Sequence, residues 1–249
     1  MFAALIDLTS ILFISLPIGC AFIASRGSKY GFVIARSISI QVGVIAALVG
    51  AIFMLGNASD LDALYPATSI LLLAFVYVFV VFGVATLVVN NSEITLPAVF
   101  QFKFLLAACF IFLFDLISVT ADSENSLIAF FDFGSGLFLL ASAGCILLIG
   151  VATDSKNVLK LVANSLPYAG LIGLLIGFVL CLAYADDLTV IGPALAFGFN
   201  SLLYTNCVSV FIKLAKPCVN HDSEVIGWQY GVFVLVGIGS CWALLISLV

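Results

Sequence analysis

The sequence predicts an all-α, polytopic membrane protein of about eight transmembrane helices, and three observations lead there. Of 249 residues only 21 are charged, 13 acids and 8 bases, so charge makes up 8% of the chain, against roughly 25% in a soluble domain. The apolar share is 64% and the mean hydropathy is +1.34. At roughly 20 apolar residues per crossing, the chain supplies about eight spans and leaves little for anything outside the bilayer. Polar and turn residues, finally, fall in short clusters that cut the chain into apolar runs of spanning length. A water-soluble globule is excluded, and the chain is not expected to be an enzyme with a soluble catalytic domain. A net charge of −5 argues against nucleic acid, which needs a basic surface.

Taken in order, the runs are 8–25, 38–55, 67–89, 98–119, 127–151, 167–184, 194–214 and 226–248. The breaks at 57–66, 90–97, 121–126, 185–193 and 216–224 hold the Asn, Asp, Ser, Gly and Pro that end helices. The first run has no basic n-region and no A-x-A site, so it reads as a retained helix rather than a signal peptide. Asp7 and Asp132 stand at helix starts, where a carboxylate caps free N–H groups and meets the helix dipole. Residues 153–165 are expected to form a short interfacial helix, with Lys156 and Lys160 facing water together. Asp115 is expected to reach the outer interface, a reading favoured over a proton relay. Trp228, Tyr230 and Trp242 flank the last run as an interfacial belt. His221, in the break at 216–224, needs no role beyond solvation.

The bases orient the helices, because positive loops stay cytoplasmic. With the first helix running inward, Arg26, Lys29, Arg36, Lys103, Lys156, Lys160, Lys213 and Lys216 all lie on the inner face. The outer loops then hold Asp60, Asp62, Asp122, Glu124, Asp186 and Asp187 and no base, and both termini lie outside. The seven cysteines, Cys20, Cys109, Cys145, Cys181, Cys207, Cys218 and Cys241, are scattered with no CxxC. They fit neither a metal site nor a disulfide framework and read as small apolar residues. No metal and no cofactor is expected.

The chain also repeats itself. A shift of 127 residues aligns 43–81 with 170–208 without a gap, and 12 of those 39 positions are identical, among them Gly43/Gly170, Gly50/Gly177, Pro66/Pro193 and Tyr77/Tyr204. On the order of four matches would arise by accident in so apolar a composition. A shift of 125 matches Asp7/Asp132, Ser10/Ser135 and Cys20/Cys145 in the preceding helices. The reading is a three-helix unit used twice: 1–90, a connecting helix in 91–125, a second unit in 126–216, and a last helix in 217–249. The connecting helix restores the parity, so both copies cross in the same direction as a parallel repeat.

The second copy contains Pro167, Gly170, Gly173 and Gly177, then Asp186 and Asp187, then Gly192 and Pro193, then Leu203 and Tyr204, with Pro217 beyond. This order resembles the pore-helix pair of the MotA/TolQ/ExbB proton channel family, most nearly its MotA branch. The resemblance covers about 50 residues well, the first and fifth helices fairly, and the last helix not at all. Read on physics alone, the three glycines let another helix approach closely, Pro167 occupies a first turn where its missing N–H costs nothing, and 185–193 makes a tight outer hairpin. Packing alone is the plain alternative for all of these features.

The resemblance implies more. In that family several MotA-type subunits form a ring around a MotB/ExbD/TolR-like single-span partner whose intramembrane Asp couples ion flow to motion. The expectation is therefore a homo-oligomeric ring in the lipid bilayer of the bacterial inner (cytoplasmic) membrane, with proton transport as the stator-like function. The second copy is expected to line the pore and the first to lie outside it. The sequence departs from the pattern at the ion-pathway hydroxyl positions, which here are Leu174 and Leu202, and Ala47 and Phe75 in the first copy. Sodium is disfavoured, while proton transfer needs only a few hydroxyls, and Asn200, Ser201, Thr205 and Asn206 lie within a turn of Leu202. The link 152–166 is too short for the cytoplasmic domain with which flagellar members grip a rotor. A small-solute carrier and a structural membrane component that has lost conduction are the alternatives.

Overall fold

The computed structural model describes residues 7–56, 61–91, 102–120, 130–155, 157–184, 188–215 and 228–248. They form eight α-helices: α1 (Leu8–Ala24), α2 (Tyr30–Gly56), α3 (Leu61–Asn91), α4 (Phe102–Thr120), α5 (Phe133–Ala152), α6 (Val158–Ala183), α7 (Leu188–Ala215) and α8 (Trp228–Leu248). Among the described residues there is no strand, and five helices carry a stretch long and apolar enough to cross a membrane, in α2, α3, α5, α6 and α7. The chain is a helical membrane protein. Each backbone N–H and C=O must be satisfied inside a helix where water is absent, which is why so apolar a chain folds this way.

Helices α2 and α7 form the centre, and α5 is the least enclosed. The tightest pairs are α6 with α7 and α2 with α3; α2 also packs on α7, and α4 on α1. The first half of the chain packs directly on the second: Ile38, Ile45 and Leu48 of α2 are fully buried in the same core as Leu202 and Phe199 of α7.

Two local devices recur in the two halves of the chain. Asp7 and Asp132 cap α1 and α5, each accepting the N–H of the residue three ahead, from Ser10 at 2.8 Å and Ser135 at 2.7 Å. The N–H of each aspartate in turn donates to a tyrosine hydroxyl, Tyr77 at 3.2 Å and Tyr204 at 3.0 Å. At their other ends, α1 and α5 close with matching turns through Ser25 and Thr153, followed by Arg26 at φ 57° and Asp154 at φ 48°. The capping read from sequence is borne out.

Other expectations need correction. Residues 158–165 are not a separate interfacial helix but the first turns of α6, so Pro167 lies inside α6 rather than at its start. The link from α5 to α6 is residues 153–157, shorter than expected. Helix α7 begins at Leu188, so Gly192 and Pro193 belong to the helix and not to a hairpin loop. Asp115 does not reach an interface; it is 3% exposed, within the bundle. Tyr230 is buried rather than part of an interfacial belt. Asp60, Asp122, Glu124, Asp186, Asp187, Lys156, Lys216, Pro217 and His221 lie outside the described residues, as do the side chains of Trp228 and Trp242.

Candidate functional site

The sequence of α7 places Ser201, Thr205, Ser209 and Lys213 four residues apart, so they share one face over about 18 Å of helix. Serine and threonine hydroxyls are tolerated inside a bundle when they bond backbone or neighbouring helices. All four side chains are buried, Lys213 being 6% exposed. They are enclosed by α6, α2 and α8.

Helix α6 meets this face with small residues. A methyl group added at Gly173 would stand 2.6 Å from Ser201 Cβ, one at Gly170 would stand 2.0 Å from Thr205 Oγ1, and one at Gly177 would meet the Ala194 carbonyl at 2.7 Å. No side chain fits at these three positions, which is why glycine is found there. The expected close approach is real, and its partner is α7 of the same chain.

Proline explains the next rung. Pro167 has no N–H, so the carbonyl of Ala163, one turn earlier, lacks its helical donor. The Ser209 hydroxyl donates to that carbonyl from across the interface. Ser209 Oγ also accepts from Gln41 Nε2 of α2 at 2.7 Å. Gln41 Oε1 then accepts from Lys213 Nζ at 2.7 Å, and Lys213 Nζ donates to the Ser37 carbonyl at 3.1 Å. A buried cation is costly unless it is bonded. Here two acceptors serve it, and its place in the last turn of α7 adds the negative end of the helix dipole.

A second branch joins α8. Asn206 Nδ2 donates to the Leu202 carbonyl and to the Tyr230 hydroxyl, both at 2.8 Å, and the Tyr230 hydroxyl lies 3.3 Å from the Pro167 carbonyl. Tyr168 packs edge to face on Tyr230 at 5.7 Å. Higher on the face, Thr205 Oγ1 donates to the Ser201 carbonyl at 2.9 Å. Ser201 Oγ is buried and has no hydrogen-bond partner among the described residues, and Asn200 beside it is fully buried.

Of the residues singled out from sequence, Pro167, Gly170, Gly173, Leu174, Gly177, Ser201, Leu202 and Thr205 come together in the α6/α7 interface, while Asn200 is buried on the side of α7 that carries Tyr204. Tyr204 points the other way, towards α5, where its hydroxyl donates to the Phe130 carbonyl. Leu174 and Leu202 are 2% and 0% exposed, and a methyl group at Gly237 of α8 would stand 3.3 Å from Leu174 Cδ2. The two positions where the resemblance implies an open ion path are thus closed by this chain's own helices. Gln41, Ser209, Lys213 and Tyr230 were missed as site residues; the four-residue spacing from Ser201 to Lys213 was the available signal for two of them.

On the far side of Tyr204 an apolar cavity of about 620 Å3 opens between α4, α5 and α7, lined by Leu116, Phe130, Leu137, Leu203 and Cys207 among others. It presents almost no polar group to position a substrate. Among the described residues no cluster of His, Cys, Asp or Glu could hold a metal ion, and Cys20, Cys109, Cys145, Cys181 and Cys207 are free thiols. No family model matches the chain, and no curated protein or solved structure matches it.

Proposed function

We propose that the chain is the multi-span subunit of a proton-driven, energy-transducing membrane complex of the MotA/TolQ/ExbB kind. The reading takes it as eight spans, a duplicated three-helix unit in parallel orientation, basic loops on the cytoplasmic side of the bacterial inner membrane, and a ring completed by a single-span partner with an intramembrane Asp. One observation carries it: the buried polar face of α7, which runs from Lys213 to Ser201, whose hydroxyl has no partner among the described residues, and stops where that face turns apolar at Gly198 and Ala194 against Gly177 of α6. Such a face suits a proton path that enters from the basic side and ends within the membrane, where a carboxylate from another chain must take over. The recurrent caps, tyrosine bonds and turns support the duplication. The five-residue link between α5 and α6 supports a complex that does not grip a flagellar rotor through that link.

The test is co-expression. Purification of the chain from its native membrane is expected to bring down a single-span protein with an Asp in its span. The pair is expected to leak protons in a pH-dye assay, and Asp→Asn in the partner to stop the leak. Recovery of the chain without any such partner would overturn the proposal. The structural alternative, a subunit that keeps the fold without conduction, is favoured by the closure of Leu174 and Leu202. Leu174→Thr with Leu202→Thr separates the two: no partner-dependent flux in either form favours the structural role.

A further inference from the structure

We propose that the basic end of the bundle holds a site for the headgroup phosphate of an anionic phospholipid, built from Arg26, Lys103 and Phe104 where α1 ends and α4 begins. The Arg26 guanidinium lies 5.2 Å from the centroid of the Phe104 ring, and the Lys103 ammonium lies 5.5 Å from the same centroid. Two cations drawn onto one ring repel each other, and the negative face of the ring offsets only part of that. Both side chains are exposed, and among the described residues no acid pairs with either. An anion between them completes the arrangement.

The end of α1 favours a cation through its dipole, but the turn itself does not require one. Arg26 sits in the left-handed region, which non-glycine residues rarely adopt, and the matching turn after α5 puts Asp154 in the same region. The two turns share their hydrogen bonds, Gly27 N–H to the Phe22 carbonyl at 2.7 Å and Ser155 N–H to the Gly150 carbonyl at 3.0 Å. One turn geometry therefore accepts either sign of charge, so the cation at Arg26 answers to chemistry outside the turn. A phosphodiester is the anion that a bilayer offers at the end of an apolar helix. Phe102, next to Lys103 and 76% exposed, supplies an apolar surface for the acyl chains below it. The site stands whether or not the protein moves ions.

Native mass spectrometry of the full chain in detergent tests this, with phosphatidylglycerol, phosphatidylcholine and inorganic phosphate as separate probes. Phosphatidylglycerol is expected to be retained in preference to phosphatidylcholine. Arg26→Gln and Lys103→Gln should each weaken retention about fivefold, the effect of one basic residue at an anionic surface. Lys160→Gln, which removes a charge elsewhere, should leave retention unchanged and serves as the folded control. Phe104→Leu should weaken retention while preserving both charges. Equal retention of the two lipids would overturn the proposal. So would full competition by millimolar phosphate, which would assign the site to a soluble anion, or an equal loss in Lys160→Gln, which would reduce it to net charge.

Discussion

Helices α3 and α7, aligned by the 127-residue shift, share a packing frame and differ in what they put on it. Gly43 faces Val78 as Gly170 faces Thr205, a methyl group at Gly43 standing 3.0 Å from the Val78 side chain. Along the same face, α3 carries Ala74, Val78, Phe82 and Thr86 where α7 carries Ser201, Thr205, Ser209 and Lys213. The facing helices differ in step: α2 has Ile40 where α6 has Pro167. Ile40 keeps its N–H, so the Arg36 carbonyl retains a helical donor, and Phe82 can be apolar. Pro167 removes one, and Ser209 restores it from outside. Part of the polarity of α7 is thus the chemical complement of a proline, and only the remainder, Ser201 above all, is left over for function.

The frame itself is the first place to break this comparison. Gly177→Ala would drive a methyl group into the Ala194 carbonyl at 2.7 Å and the Gly198 Cα at 2.8 Å, both backbone atoms that cannot turn aside. A cost of about 3 kcal/mol is expected, the upper end for overpacking. Gly50, 127 positions earlier, meets no described atom within 4 Å, and Gly50→Ala should change stability by less than about 1 kcal/mol, helped by the better helix propensity of alanine. Detergent-titrated unfolding of the two variants measures both, and equal costs would show that α6 and α7 do not approach as closely as these contacts require.

The proline account is sharpened by a double-mutant cycle. Ser209→Ala removes the donor to the Ala163 carbonyl and the acceptor for Gln41, at a cost of about 1–2 kcal/mol. Pro167→Ala returns an N–H to that carbonyl. In the Pro167→Ala background the cost of Ser209→Ala should therefore fall, by about 1 kcal/mol, leaving only what Gln41 loses. Costs that add without coupling would mean that Ser209 is not there for the proline.

How far the sequence reveals these features depends on the range of the physics involved. Capping by Asp7 and Asp132 is local, a side chain bonding to a backbone three residues ahead, and so was readable from position alone. The glycines at 170, 173 and 177 announced a close helix approach, because only small residues permit one. Helix ends were less legible: α6 runs on through 158–165 because tertiary bonds from Ser209 and Tyr230 serve the carbonyls around Pro167, so a residue that reads as a boundary becomes an interior one. Gln41 and Lys213 meet across 172 positions, and nothing in either segment names the other. Asp115 was read by its depth in the sequence, whereas its burial follows from the packing of α4 on α1.

The smallest effects test what the two halves have in common. Asp7→Ala and Asp132→Ala each remove one capping acceptor, at about 1 kcal/mol. Tyr77→Phe and Tyr204→Phe each remove the hydroxyl that accepts the N–H of the capping aspartate, at about 0.5–1.5 kcal/mol. Because the backbone contacts of the two sets have the same form and lie in different halves of the chain, the tyrosine costs should agree within about 0.5 kcal/mol and add when combined across halves, while Asp132→Ala also loses the bond from the Ser135 hydroxyl. Within one half, the aspartate and tyrosine variants should be less than additive, since both loosen the same helix start. A half in which the tyrosine contributes nothing while its counterpart does would place the difference between α3 and α7 in the frame as well as in the residues it carries.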